Sequence, residues 1–191
     1  MTNVKCCKKN PERINQGDIY KDIWWLDKIN DPSDDGFLDV SIIEFPYVFV
    51  LSQDCDLDRD EINRIDSKPE KTYDKYLISV LVAPIYVAEH IFTGTHLEYL
   101  EMSSNNSFSS KQKEQIRKNQ VPRYHYLEFD SSIELAPSII DFKHYFSVNT
   151  DYIRYNLTEK YLCSVSKLFR ERICQRFSNY LSRIGLPEIN V

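Results

Sequence analysis

Two apolar runs dominate the pattern of this chain. Positions 47–51 read Tyr-Val-Phe-Val-Leu, and positions 76–87 read Tyr-Leu-Ile-Ser-Val-Leu-Val-Ala-Pro-Ile-Tyr-Val. Their length and their β-branched and aromatic content predict strands buried on both faces. Pro84 must sit at the end of the second run or in a bulge, because it has no N–H to give a ladder. The first run stops at Ser52-Gln53-Asp54-Cys55-Asp56, where a thiol stands between two carboxylates. Such an ending either places chemistry on a rigid support or makes a turn, with Ser and Asp bonding their own backbone.

The rest of the pattern fills in around these runs. Gln16-Gly17-Asp18 is turn chemistry. Ile19-Tyr20 and Ile23-Trp24-Trp25-Leu26 predict a first strand, bent near Lys21-Asp22. Positions 31–36 form a turn, 37–43 a second short strand, and Pro46 opens the organising strand. The charged positions 59–75, with Pro69, predict a long solvated loop. Positions 88–101 allow a short helix, weakened by Gly94 and Thr95. Positions 103–107 read as a loop, and 109–119 as a surface helix or flap with Ile116 as its one apolar anchor. Positions 123–129 alternate as a strand does. Positions 139–142 and 145–148 give a further strand or a bent pair, while 152–157 fit neither pattern.

The clearest helix covers 166–184. Ser166 caps it, Gly185 ends it and Pro187 follows. At about 100° per residue, Phe169, Ile173, Phe177, Tyr180, Leu181 and Ile184 share one face, bordered by Arg172, Arg176 and Arg183. Arg170 falls inside that face. A buried arginine needs a partner, and Asp54, Asp56 and Asp141 are the candidates. With strands outnumbering helices and the one long helix last, the order predicts an α+β fold: a small, mostly antiparallel, SH3-like β-barrel with a C-terminal helix packed on it. A polar arm, 1–15, precedes a single globular domain, 16–191, with a surface flap or helix at 103–120 and the C-terminal helix at 166–185.

Composition narrows the function classes. Only 4 Gly are present, with no glycine-rich phosphate loop. A net charge of −5 excludes a globally basic nucleic-acid binder. Five irregularly spaced cysteines (Cys6, Cys7, Cys55, Cys163, Cys174) do not form a secreted disulfide framework. The first residues lack an apolar signal core, and no run reaches the ~18 apolar residues of a membrane span. The expectation is a cytoplasmic protein with no membrane contact.

Three constellations carry candidate chemistry. Cys55 would act as a nucleophile with His125 or His144 as its base, although two flanking carboxylates oppose thiolate formation. Asp54, Asp56 and Asp58 offer hard oxygen ligands, but Arg59 stands where a calcium loop needs glycine. A turn with an ion pair from Asp54 or Asp56 to Arg170 is the preferred reading, and no metal or cofactor is expected. Lys111, Lys113, Arg117, Lys118 and Arg123 with Tyr124 and Tyr126 could hold single-stranded RNA, the cations on phosphates and the rings on bases. A solvated flap explains the same residues.

Gly17-Asp18-Ile19-Tyr20, a buried strand ending at Ser52, the proline-ended run Val80 to Pro84 and a terminal helix together resemble the MazF/PemK/Kid toxin barrel. The resemblance covers about residues 16–87 and 139–184. It implies an endoribonuclease with an arginine after the first strand and a Thr or Ser near the end of the third. No Arg stands between Tyr20 and Gln53, and Ser79 is the nearest hydroxyl. The segment Ser52 to Leu57, with Arg170, Arg176-Phe177 and positions 183–187, is also similar to a pattern in small uncharacterised bacterial proteins.

No complete catalytic set is visible. The function expected is therefore a non-enzymatic protein-interaction or regulatory module of a bacterial complex, with another protein as partner. The barrel resemblance implies a toxin–antitoxin or antiviral-defence operon. The alternatives are a MazF-like endoribonuclease, or a Cys- or metal-dependent hydrolase centred on Asp54-Cys55-Asp56. If the chain is an enzyme, Cys55, His125, His144 and Arg170 are its candidate residues. A hydrolase would bring His125 or His144 to Cys55. A binding module would instead expose a large apolar patch.

Overall fold

A computed structural model describes residues 6–7, 11–29, 39–66, 74–102 and 107–183. The expected turn at 31–36, Pro69, most of the loop at 103–107 and the helix stop at Gly185 and Pro187 lie outside the described residues. The structure is α+β. Its eight strands form one sheet in the order β1-β8-β2-β3-β4-β6-β5, with β7 added beside β4. These are β1 Cys6–Cys7, β2 Asp18–Ile29, β3 Val40–Val50, β4 Ser79–Val87, β5 Tyr124–Leu127, β6 Ser138–Asp141, β7 Phe146–Asn149 and β8 Tyr161–Val165. Every described pairing is antiparallel.

The sheet does not close into a barrel, which corrects the expectation. The cause lies in β4. One edge pairs with β3 from Val82 to Ile85. The other edge is shared: β7 takes Ser79 to Val82 and β6 takes Ile85 to Val87. The sheet therefore forks rather than continuing around an axis. Pro84 falls at the change of partner, where a missing N–H breaks no ladder on that edge.

The first run is buried on two faces from Val48 to Leu51, and the second from Val80 to Tyr86, whereas positions 76–78 precede β4 and Ile78 is 79% exposed. Phe49 points into a core with Ile19, Ile85, Ile140 and Phe142, covered by Ile173 and Phe177 of α5 (Lys167–Leu181). Its neighbours Val48 and Val50 point into a second core with Tyr20, Ile23, Val80 and Val82. That core is closed by Leu57 of α1 (Asp54–Ile65) and Ile153 of α4 (Thr150–Tyr155). The first part of the expected loop, 59–65, is thus the body of α1, positions 67–73 lie outside the described residues, and the polar cluster at 54–56 is the first turn of α1. Its mixed charge, which suggests solvation, is consumed by ion pairs. Asp60 is buried and accepts from Arg64 Nε at 2.7 Å and from the Leu77 N–H at 2.7 Å, and Arg154 of α4 pairs with Glu61.

A third core lies under the short helices α2 (Ala88–Thr93) and α3 (Ser110–Arg117), where Ile91, Phe92 and Ile116 pack on Tyr86, Tyr124 and Ile139. The flap is a helix closed by a capping box between Ser109 and Gln112. Just beyond it, Asn119 covers the free edge of β5: its amide accepts from the Tyr126 N–H at 2.7 Å and donates to the Tyr126 carbonyl at 3.3 Å. An edge strand masked in this way cannot recruit another chain.

Asp18 at the start of β2 is fully buried. Burial pushes its carboxyl up to about 6, against hydrogen bonds from Ser164, Asn15 and Tyr20. The folded chain therefore holds that proton more tightly than the unfolded one, whose value is 3.8. Stability from this group is complete below the unfolded value and is lost as pH rises towards 6. Asp18→Asn mimics the protonated form. Its stability advantage over wild type should grow between about pH 4 and 6 and level off at about 3 kcal/mol, the order expected from linkage. Urea unfolding at several pH values measures it, and a pH-independent difference would refute it.

Candidate functional site

The end of β3 is tied to two distant segments. The Asp54 carboxylate accepts from Arg170 Nη2 of α5 at 3.1 Å and from the Gln16 N–H at 3.2 Å. Arg170 Nη1 donates to the Gln16 carbonyl at 3.1 Å. Arg13 adds longer contacts to Asp54 and Asp58 at 3.5 Å. The expected ion pair is therefore present with Asp54. Asp141 pairs instead with Arg123, in a bidentate contact at 2.8 and 2.6 Å, and Asp56 faces solvent.

Beside this tie lies a cleft of about 590 Å³ lined by Ser52, Gln53, Cys55, Asp56, Glu171 and Cys174, among others. Ser52 Oγ accepts from the Leu81 N–H at 2.8 Å, so this hydroxyl holds strands together. Cys55 is exposed, and its thiol contacts Gln53 Oε1 and Asp56 Oδ1 at 3.6 Å. Burial pushes the Cys174 thiol up to about 12. No described histidine lines the cleft.

The two candidate bases stand elsewhere. His125 is buried beside Phe142. Burial, helped by Arg176 and Arg172, pushes its imidazole down to about 3. His144 Nδ1 lies 3.1 Å from Asp141. Burial raises the Asp141 carboxyl, but hydrogen bonds from Arg123 and His144 outweigh it and bring it down to about 2. The cleft therefore presents carboxylates, amides and the thiols of Cys55 and Cys174, with no histidine among its described lining. Among the described residues no His, Cys, Asp and Glu cluster has the arrangement of a metal site.

The basic patch is also spoken for in part. Lys113 and Arg117 lie over the Phe92 ring at 5.4 and 5.1 Å, and Lys118 pairs with Glu114. Arg123 is committed to Asp141, and Tyr124 is buried beneath it. Lys111 and Lys118 remain on the surface with a half-buried Tyr126. Of the border arginines, Arg176 donates to the carbonyls of Val121 and Tyr124 at 3.1 and 3.0 Å, and Arg183 lies over Tyr180.

A second feature stands out on the sheet. Above Asp22, β2 has β3 as its only described strand partner, and β3 below Tyr47 has only β2. This part is a two-stranded ribbon. It begins where Asp22 takes a left-handed backbone (φ 53°) across from Pro46. On its inner face Ile23 and Phe45 are buried, and Trp25 packs edge-on against Phe146. Its outer face carries Trp24, Leu26, Ile29, Val40 and Ile42, each between 39% and 57% exposed. These residues were not singled out from sequence as a site. Their signal is that Ile23-Trp24-Trp25-Leu26 is apolar in both phases of a strand, so one phase must face outward unless a second layer covers it.

The chain matches no protein-family model and no curated protein sequence. The candidate sites therefore stand on their geometry.

Gly17 tests the tie at Asp54. Its φ is +88°, and a Cβ there would lie 2.8 Å from Arg170 Cβ. Gly17→Ala should destabilise the fold by about 2–3 kcal/mol, from strain and displacement of α5. Arg170→Ala should cost about 1–2 kcal/mol, since Asp54 keeps the weaker Arg13 contact. Thermal melts of the two variants and their double mutant check this. Additive effects would show that the two residues do not act on one contact.

Proposed function

We propose that this chain is a non-enzymatic protein-interaction module that docks through the β2–β3 ribbon. One observation carries the reading: five large apolar side chains stand side by side on the ribbon's outer face. Contiguous apolar surface of this kind marks binding sites on proteins that otherwise bury such groups, and the tryptophan at the base of the row, Trp24, is of the residue type that suits an interface hot spot. Other free surfaces are treated differently, since Asn119 masks the edge of β5. The Cys55 cleft supports the reading from the other side, since no histidine stands in its described lining to pair with either thiol. No helix among the described residues is long and apolar enough to cross a membrane, and a cytoplasmic partner protein is the counterpart proposed. An SH3-like or MazF-like ancestry and a defence or toxin–antitoxin setting rest on the sequence resemblance alone.

The triple variant Trp24→Ser, Leu26→Ser, Ile42→Ser tests the reading. All three side chains are about half exposed, so circular dichroism should stay native. Wild type should co-purify with a stoichiometric partner that the variant loses, and neither should cleave RNA. RNA cleavage that Cys55→Ala or Asp56→Asn abolishes without unfolding would overturn the proposal, as would a partner retained by the triple variant.

A further inference from the structure

Beside the ribbon the sheet leaves a gap between two strand edges. A groove of about 390 Å³ is lined by Trp24, Trp25, Leu26 and Ile42 on the ribbon side and by Ser147, Val148, Asn149 and Tyr152 on the other. Trp24 donates its backbone N–H to Tyr152 Oη at 3.2 Å, so the β2 edge turned away from β3 faces this gap. Backbone direction alternates along a strand, and Leu26 therefore points its N–H and C=O the same way. Just past β7, the Thr150 N–H donates to the Ile78 carbonyl on the β4 side. By the same alternation Ser147 turns its N–H and C=O outward, and Asn149 its N–H, while the Asn149 carbonyl begins α4; both residues are exposed. Two strand edges thus border one groove with apolar walls.

One end of the groove is charged. The Lys160 ammonium lies over the Trp24 ring at 5.1 Å and the Tyr152 ring at 5.7 Å. It donates to the Asp22 carbonyl and has no carboxylate within ion-pair distance among the described residues. A cation held by rings and a carbonyl at the mouth of an apolar groove is complementary to an acidic group.

Building on the interaction-module reading, we propose that the groove binds one extended segment of a partner protein as an added β-strand, with apolar side chains along it and an acidic residue at the Lys160 end. Main-chain hydrogen bonds to the two edges supply affinity, and the apolar walls select alternate side chains. The added strand fills the gap between β2 and β7. It also covers part of the exposed row at Trp24 and Leu26.

The protein carries its own reporter. Its only two tryptophans, Trp24 and Trp25, both line the groove. Two acetylated peptides of alternating Thr with Val or Ile serve as probes, one with Glu at both ends and one with Lys at both ends. A third has Pro at alternate positions and cannot extend a sheet. The Glu-ended peptide should blue-shift tryptophan emission saturably, bind more tightly than the Lys-ended one, and lose affinity with salt. The Pro peptide should have no effect. Leu26→Pro removes one outward N–H and should weaken binding about tenfold. Lys160→Glu leaves the strand edges intact and should reverse the preference between Glu-ended and Lys-ended peptides. No saturable shift with either alternating peptide, or equal binding by the Pro peptide, overturns the proposal. Light scattering that finds a dimer dissolved by Leu26→Pro would assign the groove to a second copy and overturn it as well. Partner loss in the triple variant without peptide binding sinks only the strand groove, whereas partner retention sinks the docking reading beneath it.

Discussion

The Asp54 carboxylate is the contact on which the arrangement depends. It receives an N–H from the chain entering β2, at Gln16, and a guanidinium from the last helix, Arg170. It belongs to the residue that converts β3 into α1. Three segments more than thirty residues apart are thereby fixed at one point. Arg170 is only partly buried, so the pair avoids the full cost of a charge in the interior while its hydrogen bonds fix geometry. Gly17 has to be a glycine because Arg170 crosses its backbone at contact distance. The polar cluster after the organising strand is therefore a structural joint, and that role alone accounts for its aspartate and its arginine partner.

The same joint explains why the ribbon is left bare. With α5 drawn to one face by Arg170 and α1 to the other by the turn at Asp54, both helical layers cover the lower halves of β2 and β3, where Ile19, Tyr20, Phe49 and Val50 lie. Beyond Asp22 and Pro46 the two strands continue past these layers. Their inner face finds Phe146 at the end of β4's second neighbour. Their outer face meets only the Lys160 ammonium over Trp24 and, across a groove, Tyr152 and β7 among the described residues. The fork in β4 supplies β7 to this side of the sheet but stops short of pairing it with β2. The uncovered face and the unfilled gap have a common origin.

Much of this was legible in the sequence, because local signals agreed with tertiary demand. The run at 47–51 and the part of the run 76–87 from Ser79 onward are strands, the bend at Lys21-Asp22 is real, and Phe169, Ile173, Phe177 and Tyr180 of the predicted stripe pack on the core, while Leu181 is half exposed. That Arg170 needs a carboxylate partner also followed from periodicity, since a cation inside an apolar face demands one, while the choice of Asp54 over Asp56 and Asp141 is set by the tertiary structure. The failures have physical causes too. The helix α1 was hidden because its stabilisation comes from Arg64, Arg154 and Arg13, which are remote or used in ion pairs that propensity does not register. Closure into a barrel was inferred from strand count, but count says nothing about a strand whose edge is split between two partners. The ribbon face escaped notice because its side chains look like core residues in any window of sequence.

That last miss bears on function. A strand apolar in both phases is normally evidence of burial on both sides, and for β3 from Tyr47 onward and for β4 it is. In β2 from Ile23 to Leu26 one phase is buried and the other is not, although composition is the same. Selection for stability alone would favour polar residues at Leu26 and Ile42, about half exposed like Trp24, whose ring meets the Lys160 ammonium. The tie at Asp54 holds the two helical layers in place whatever stands at those positions, so the fold has no need of them. A surface that the fold does not need, next to two strand edges with no described strand partner, is the physical ground on which the proposed docking rests.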